Sequence, residues 1–178
     1  MANDNANVLK AAEGKVGKDA LMKTGYGSDC FVLVDQILRD LGLATAADGD
    51  VKVTPTADYD WGDGIMLDSI QPGDILQFKK HFIKIVTVTK KPTETVTDTR
   101  TQNRPHHTAI VVEVHKDGSV TVIEQNVHPN PKKVNKNVIP RLDSGLTTKK
   151  TYKGEDEIKT TMTVSGEVKA YRPTTKPK

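Results

Sequence analysis

The sequence predicts an α+β domain in which N-terminal helices pack on an antiparallel β-sheet. In the first third, apolar residues recur at helical spacing. From residue 75 onward, β-branched residues alternate with polar ones, the period of a strand. The composition allows a packed core, because 35% of the 178 residues are hydrophobic, and it leaves much of the surface polar. The length suits one domain, expected over residues 1–172 with a basic, Pro-containing tail at 173–178 that frays.

Each element has its own local signal. Val8, Leu9, Ala12, Val16 and Leu21 predict a helix within 7–22, weakened by Gly14 and Gly17. Thr24–Ser28 reads as a loop. Cys30, Phe31, Val34, Ile37, Leu38 and Leu41 then trace the buried face of a second helix, with Ser28 or Asp29 as cap and Gly42 as stop. Residues 44–70 have no sustained period and read as a long surface connection carrying Trp61, the sole tryptophan. Pro72-Gly73-Asp74 forms a turn into a strand at Ile75–Phe78. Alternation at Ile83–Thr89 and again at Thr93–Thr101 predicts an inserted, solvent-exposed Thr-rich hairpin over about 81–104. A second hairpin joins 107–114 to 119–126 through Lys116-Asp117-Gly118, and further strands fall at 134–139 and within 158–172.

Charge and composition exclude several function classes. Lys and Arg number 26 against 23 Asp and Glu, a net +3, which argues against a dedicated nucleic-acid binder. Aromatics are only 4%, too few for a stacking platform. No apolar run reaches the roughly 18 residues of a membrane span, and the first residues lack a signal-peptide pattern, so the compartment stays open. One cysteine makes no internal disulfide, and no zinc or calcium motif is present, so neither metal nor cofactor is expected. His81, His115 and His128 are expected at the surface.

One constellation has the makings of chemistry. A thiol in the first turn of a helix meets the unsatisfied N–H groups and positive end of the helix dipole, which favour the thiolate; Cys30 occupies that place. A backbone N–H there could hold an oxyanion. His107 opens the strand His-Thr-Ala-Ile-Val-Val and is the candidate base. Glu124 and Asn126 lie two apart on the paired strand, near the position opposite 107, so either could orient the imidazole.

Asp29-Cys30 before a hydrophobic helix, Gln71-Pro72-Gly73-Asp74-Ile75-Leu76, His107-Thr108-Ala109-Ile110-Val111 and Val122-Ile123-Glu124-Gln125-Asn126 together resemble the CHAP and NlpC-type cysteine amidohydrolase/peptidase superfamily, over residues 26–126. The resemblance implies a papain-like fold and hydrolysis of amide bonds in peptides or peptidoglycan-like substrates by a monomer. Carried over, Cys30 is the nucleophile, His107 the base and Glu124 the orienting residue, with Asn126 as a further polar group. Tyr26, as an oxyanion donor, is the candidate for substrate binding together with Asp29, Trp61 and His106. The sequence departs from the family where Phe31-Val32 replace the usual Ser-Gly after the cysteine. The competing expectation is a non-catalytic interaction module on the same scaffold, which binds through the exposed hairpin while the thiol is merely packed.

Overall fold

The structure, a computed structural model, describes residues 4–23, 29–48, 54 and 57–175. Two helices, α1 (Asp4–Glu13) and α2 (Cys30–Asp40), precede seven strands. These are β1 (Asp63–Ile65), β2 (Ile75–Lys90), β3 (Thr95–Val114), β4 (Val120–Gln125), β5 (Val134–Ile139), β6 (Gly145–Lys153) and β7 (Asp156–Arg172). All pairings are antiparallel, in the order β1-β7-β2-β3-β4-β5, with β6 on the outer half of β7.

Local chemistry sets where the helices begin and end. α1 stops at Glu13, short of the expected 22, because the chain turns at Gly14–Lys18 with Gly17 at φ 78°. It then runs beside β5, where Gly17 N–H donates to Val134 O and Ala20 N–H to Lys132 O. α2 matches its periodicity and ends before Gly42, at φ 69°. It is buried on most sides. With Val8, Ala12, Tyr59 and Trp61 it covers one sheet face, against Ile75, Ile110, Ile123 and Tyr171. Leu76, Phe78, Ala109, Val111, Val122, Ile139 and Ala170 form a second cluster on the opposite face. Burial on both faces explains why every residue of β4 is buried.

The Pro72-Gly73-Asp74 turn is a structural clasp. Gly73 sits at φ 89°, and a Cβ there would lie 2.1 Å from the Asn5 carbonyl oxygen. Asp74, fully buried, accepts from Asn5 Nδ2 (2.6 Å), Gln71 N–H (2.8 Å) and Arg172 (3.1 and 3.2 Å). One carboxylate thereby joins α1, the turn and the end of β7.

The expected separate insertion at 81–104 is instead the outer half of two strands that run through from the core. β2 pairs continuously with β3 from Ile75↔Ile110 to Lys90↔Thr95. A bulge between Lys79 and Phe82, with Lys80 at φ 52°, marks where β2 leaves the core against β7. Gly166 of β7 admits that bulge, since a Cβ on it would lie 2.2 Å from Lys80 O. The outer halves of β2 and β3 combine with β6 and the first half of β7 into a four-stranded outer sheet, so the expected two-stranded ribbon is incomplete.

Three further expectations change. The connection 44–70 contains β1, and its Trp61 is fully buried. The tail is tied down as far as Thr175, by Ala44 N–H to Thr174 O (2.9 Å) and a bridge from Leu43 to Thr175. His81 is fully buried beside Phe78 (ring centroids 5.2 Å), because the bulge turns it inward. His128 is exposed, and His115 is half-buried.

Candidate functional site

The site lies where β3 and β4 part. They pair only between Ile110–Val114 and Val120–Ile123, and toward residues 107 and 124 the first turn of α2 closes the gap. Gln125, fully buried, fixes that turn by donating to Asp29 O (2.8 Å) and Leu21 O (3.0 Å) and accepting from Leu21 N–H (2.9 Å). Asp29 precedes the helix without a side-chain cap bond of its own. Asn126, just past β4 at φ 61°, donates to Asp29 Oδ1 (3.1 Å). It therefore clamps the helix start rather than bonding to His107.

Glu124 takes that place. His107 Nε2 lies 2.8 Å from Glu124 Oε2, and the carboxylate is fully buried. Arg104 grips it with two bonds, Nε to Oε2 (3.0 Å) and Nη2 to Oε1 (2.7 Å). Asn137 of β5 adds a bond to Oε1 (2.9 Å). Arg104 and His107 are each 5% exposed. Burial pushes the Glu124 pKa up, but bonding to His107 and Arg104 outweighs it and holds the carboxyl below the usual range. For His107 burial lowers the pKa, while bonding to Cys30 and then to Glu124 overcomes this and raises it to about 9. The imidazolium is thus the form held in the fold near neutrality.

Cys30 touches this cluster from the helix side. It is a free thiol, 8% exposed, and its sulfur also donates to the His106 carbonyl at 3.9 Å. The recess in front of it, bordered by Phe31, Thr54, Tyr59, Gln77, His106 and Thr108, has an interior volume of about 10 Å³. That is room for about one water, far less than a peptide group.

Of the remaining expected substrate-binding residues, Asp29 and His106 border the recess in front of Cys30, whereas Trp61 does not. Trp61 packs against Phe31 and Tyr59 (ring centroids 5.4 and 5.7 Å) and donates to Gln77 Oε1 (3.1 Å), so it belongs to the core. His106 faces away from His107, as strand alternation requires, and its Nδ1 lies 3.3 Å from Asp58 Oδ1. Asp58 is also paired with Lys79 at 3.0 Å. Tyr26 lies outside the described residues. Among the described residues, no group of three or more His, Cys, Asp or Glu side chains is placed to hold a metal ion.

The model of one protein family, described as AIM3/BBC1 cysteine proteinase-fold domain, matches residues 6–177. The chain belongs to the AIM3/BBC1 cysteine proteinase-fold domain family. No curated protein and no solved structure matches. The AIM3/BBC1 match supports the papain-like superfamily and the α+β fold, and it replaces the narrower CHAP and NlpC-type resemblance. It also overturns the expected amidase or peptidase activity and the expected peptide or peptidoglycan-like substrate. What the match shows is a proteinase fold, and in this AIM3/BBC1 domain the thiol is buried behind a water-sized recess. Among the described residues no helix is long and apolar enough to cross a membrane.

Arg104 and Asn137 escaped the sequence reading. Arg104 stands three residues before His107, so plain alternation puts it on the opposite face from the histidine. Pro105 beside it was the one local sign of irregularity, but it named no partner. Asn137 sits in a strand whose register with β4 cannot be read from its own residues.

Proposed function

We propose that the chain is a non-catalytic protein-interaction module that keeps the cysteine-proteinase scaffold and binds a protein partner through the outer sheet. The observation that carries this reading is the contrast between two regions. Cys30 is buried behind a small recess, whereas the four outer strands extend from the core with exposed edges along β6 and the outer half of β3. Registered pairing sets threonines on both faces: on one, Thr99, Val86, Thr161 and Thr148 form a row and Thr97, Val88, Lys159 and Lys150 the next, while Thr87, Thr89, Thr147, Thr151 and Thr160 lie on the other. These β-branched residues hold a pleated surface stiff without a helix over it. A rigid surface loses little conformational entropy on binding.

In this reading the buried polar cluster has a structural role. Glu124 joins β3, β4 and β5 through Arg104, His107 and Asn137, while Cys30 and Gln125 bring the α2 turn against them. The same residues that would serve a hydrolase here fix the base of the outer sheet.

The test compares two variants as baits in quantitative cross-linking to the protein's native partners. Thr97→Glu/Thr99→Glu/Thr161→Glu should lose the cross-linked partners while keeping the parent's urea midpoint. Cys30→Ser should retain them, and neither parent nor variant should release new amines from peptides. Partners that persist with the glutamate variant and vanish with Cys30→Ser would reverse the assignment.

A further inference from the structure

The outer edge of β6 differs from the other strand edges. It runs nine residues, every one exposed, in unbroken register from Gly145↔Val164 to Lys153↔Asp156. At roughly 3.4 Å per residue this is about 30 Å of backbone with unpaired N–H and C=O groups. It contains neither proline nor bulge. β1 has only three residues, and β5 has six. The outer edge of β3 is exposed too over Thr95–Thr101, but its Arg100 is paired with Asp98 (3.0 Å), and at its base Gln102 Nε2 reaches across to Val138 O at 3.2 Å.

Charge says what fits β6. The strand carries Lys149, Lys150 and Lys153 and no acidic residue. Lys150 is paired with Glu157 (2.6 Å), whereas Lys149 and Lys153 make no ion pair among the described residues. Across 81–103 and 145–165 there are eight basic against five acidic side chains, in a chain whose whole net charge is +3, so the surplus sits on the outer sheet. Two copies of β6 paired edge to edge would bring their lysines together, which disfavours self-association. On the face that carries Lys150, Leu146 and Tyr152 are 69% and 67% exposed, offering apolar contacts at each end of the strand.

We infer that β6 is an acceptor edge to which an extended acidic segment of a partner protein adds as a further antiparallel strand. Main-chain bonds to β6 supply the affinity, and the lysines select glutamate- or aspartate-bearing strands over neutral or basic ones. The inference rests on the interaction-module reading and narrows it to one edge and one partner chemistry.

The probe is a fluorescein-labelled nine-residue peptide alternating glutamate with valine, read by fluorescence anisotropy against the intact chain. A lysine–valine peptide serves as control. Binding of the glutamate peptide should weaken at least tenfold between 50 and 300 mM salt, and at least tenfold in Lys149→Glu/Lys153→Glu. N-methylating alternate amides along one edge of the peptide should abolish binding, while N-methylating the other set should leave it intact, because only one edge of an added strand faces β6. Equal binding of the two peptides, or indifference to both methylation patterns, overturns the inference. Partner cross-links that depend on Thr97, Thr99 and Thr161 but not on the β6 lysines would overturn the edge assignment and leave the module reading standing. Loss of neither would overturn both.

Discussion

Replacing Glu124 by Gln keeps the shape of the side chain and removes its charge. Both carboxylate oxygens are fully engaged, by Arg104, His107 and Asn137, at 2.7 to 3.0 Å. The amide can accept at one atom only, so it leaves a guanidinium and an imidazole, each 5% exposed, short of a counter-charge. Removing one partner from a buried pair costs about 3 to 5 kcal/mol. With a urea slope of about 2 kcal/mol per M for a domain of this size, the midpoint should fall by about 1.5 to 2.5 M. The pH dependence changes too. His107 has a folded pKa raised to about 9 against roughly 6.5 unfolded, so its contribution is complete below pH 6.5 and is lost as pH rises through 9. A shift of that size is worth about 3 kcal/mol. In Glu124→Gln that alkaline loss should shrink, because one of the two groups favouring the imidazolium is gone. Urea unfolding followed by far-UV circular dichroism at pH 6, 7.5 and 9 reads both effects. A midpoint within about 0.3 M of the parent, with the same slope against pH, would refute a charged, interlocked Glu124. The double variant Arg104→Met/Glu124→Gln should be less destabilised than the two single changes summed.

Other measurements reach other parts of the fold. His81 is fully buried with neither ring nitrogen bonded; burial and then Arg104 lower its pKa, and the Arg141 and Leu142 backbone offsets this only in part. Its neutral form is therefore the folded one, and stability falls as pH drops below about 6.5. His81→Leu should remove that acid-side loss and raise the urea midpoint at pH 5. Gly73→Ala combines φ 89° with a 2.1 Å approach to Asn5 O and should cost at least about 2 kcal/mol, read as a lower thermal midpoint. Cys30, at 8% exposure, should react with a disulfide reagent more slowly than glutathione in the native state and at the free rate in urea. Native labelling faster than glutathione would contradict a buried, merely packed thiol.

Much of the architecture was legible because its signals are local. The face Cys30, Phe31, Val34, Ile37, Leu38 has the period of α2 written into it, and the alternations near 75–89 and 95–114 are strands wherever they end up. Adding residue numbers across the Lys116–Gly118 turn also places 107 near 126, so the meeting of Cys30, His107 and Glu124 was anticipated. Their use was not, because composition and order cannot say whether a carbonyl fits beside the sulfur. The described residues leave room for about one water, and that follows from how Tyr59, Phe31 and Gln77 pack.

The sequence by itself determined α2, the strands of the central sheet, the helix start that presents Cys30, and the presence of a β-branched region beyond the core, but not β1 or β6. These depend on periods of 3.6 and 2, which neighbours along the chain set among themselves. Tertiary structure alone decided that Arg104 faces Glu124, that His81 turns inward, that Asn126 clamps Asp29, and that β6 completes an outer sheet. A bulge at Lys80, a left-handed Asn126 and the pairing of β7 with three other strands produce those outcomes. Each depends on residues tens of positions away, and a one-residue change in any of those registers would turn the same side chains to the opposite face.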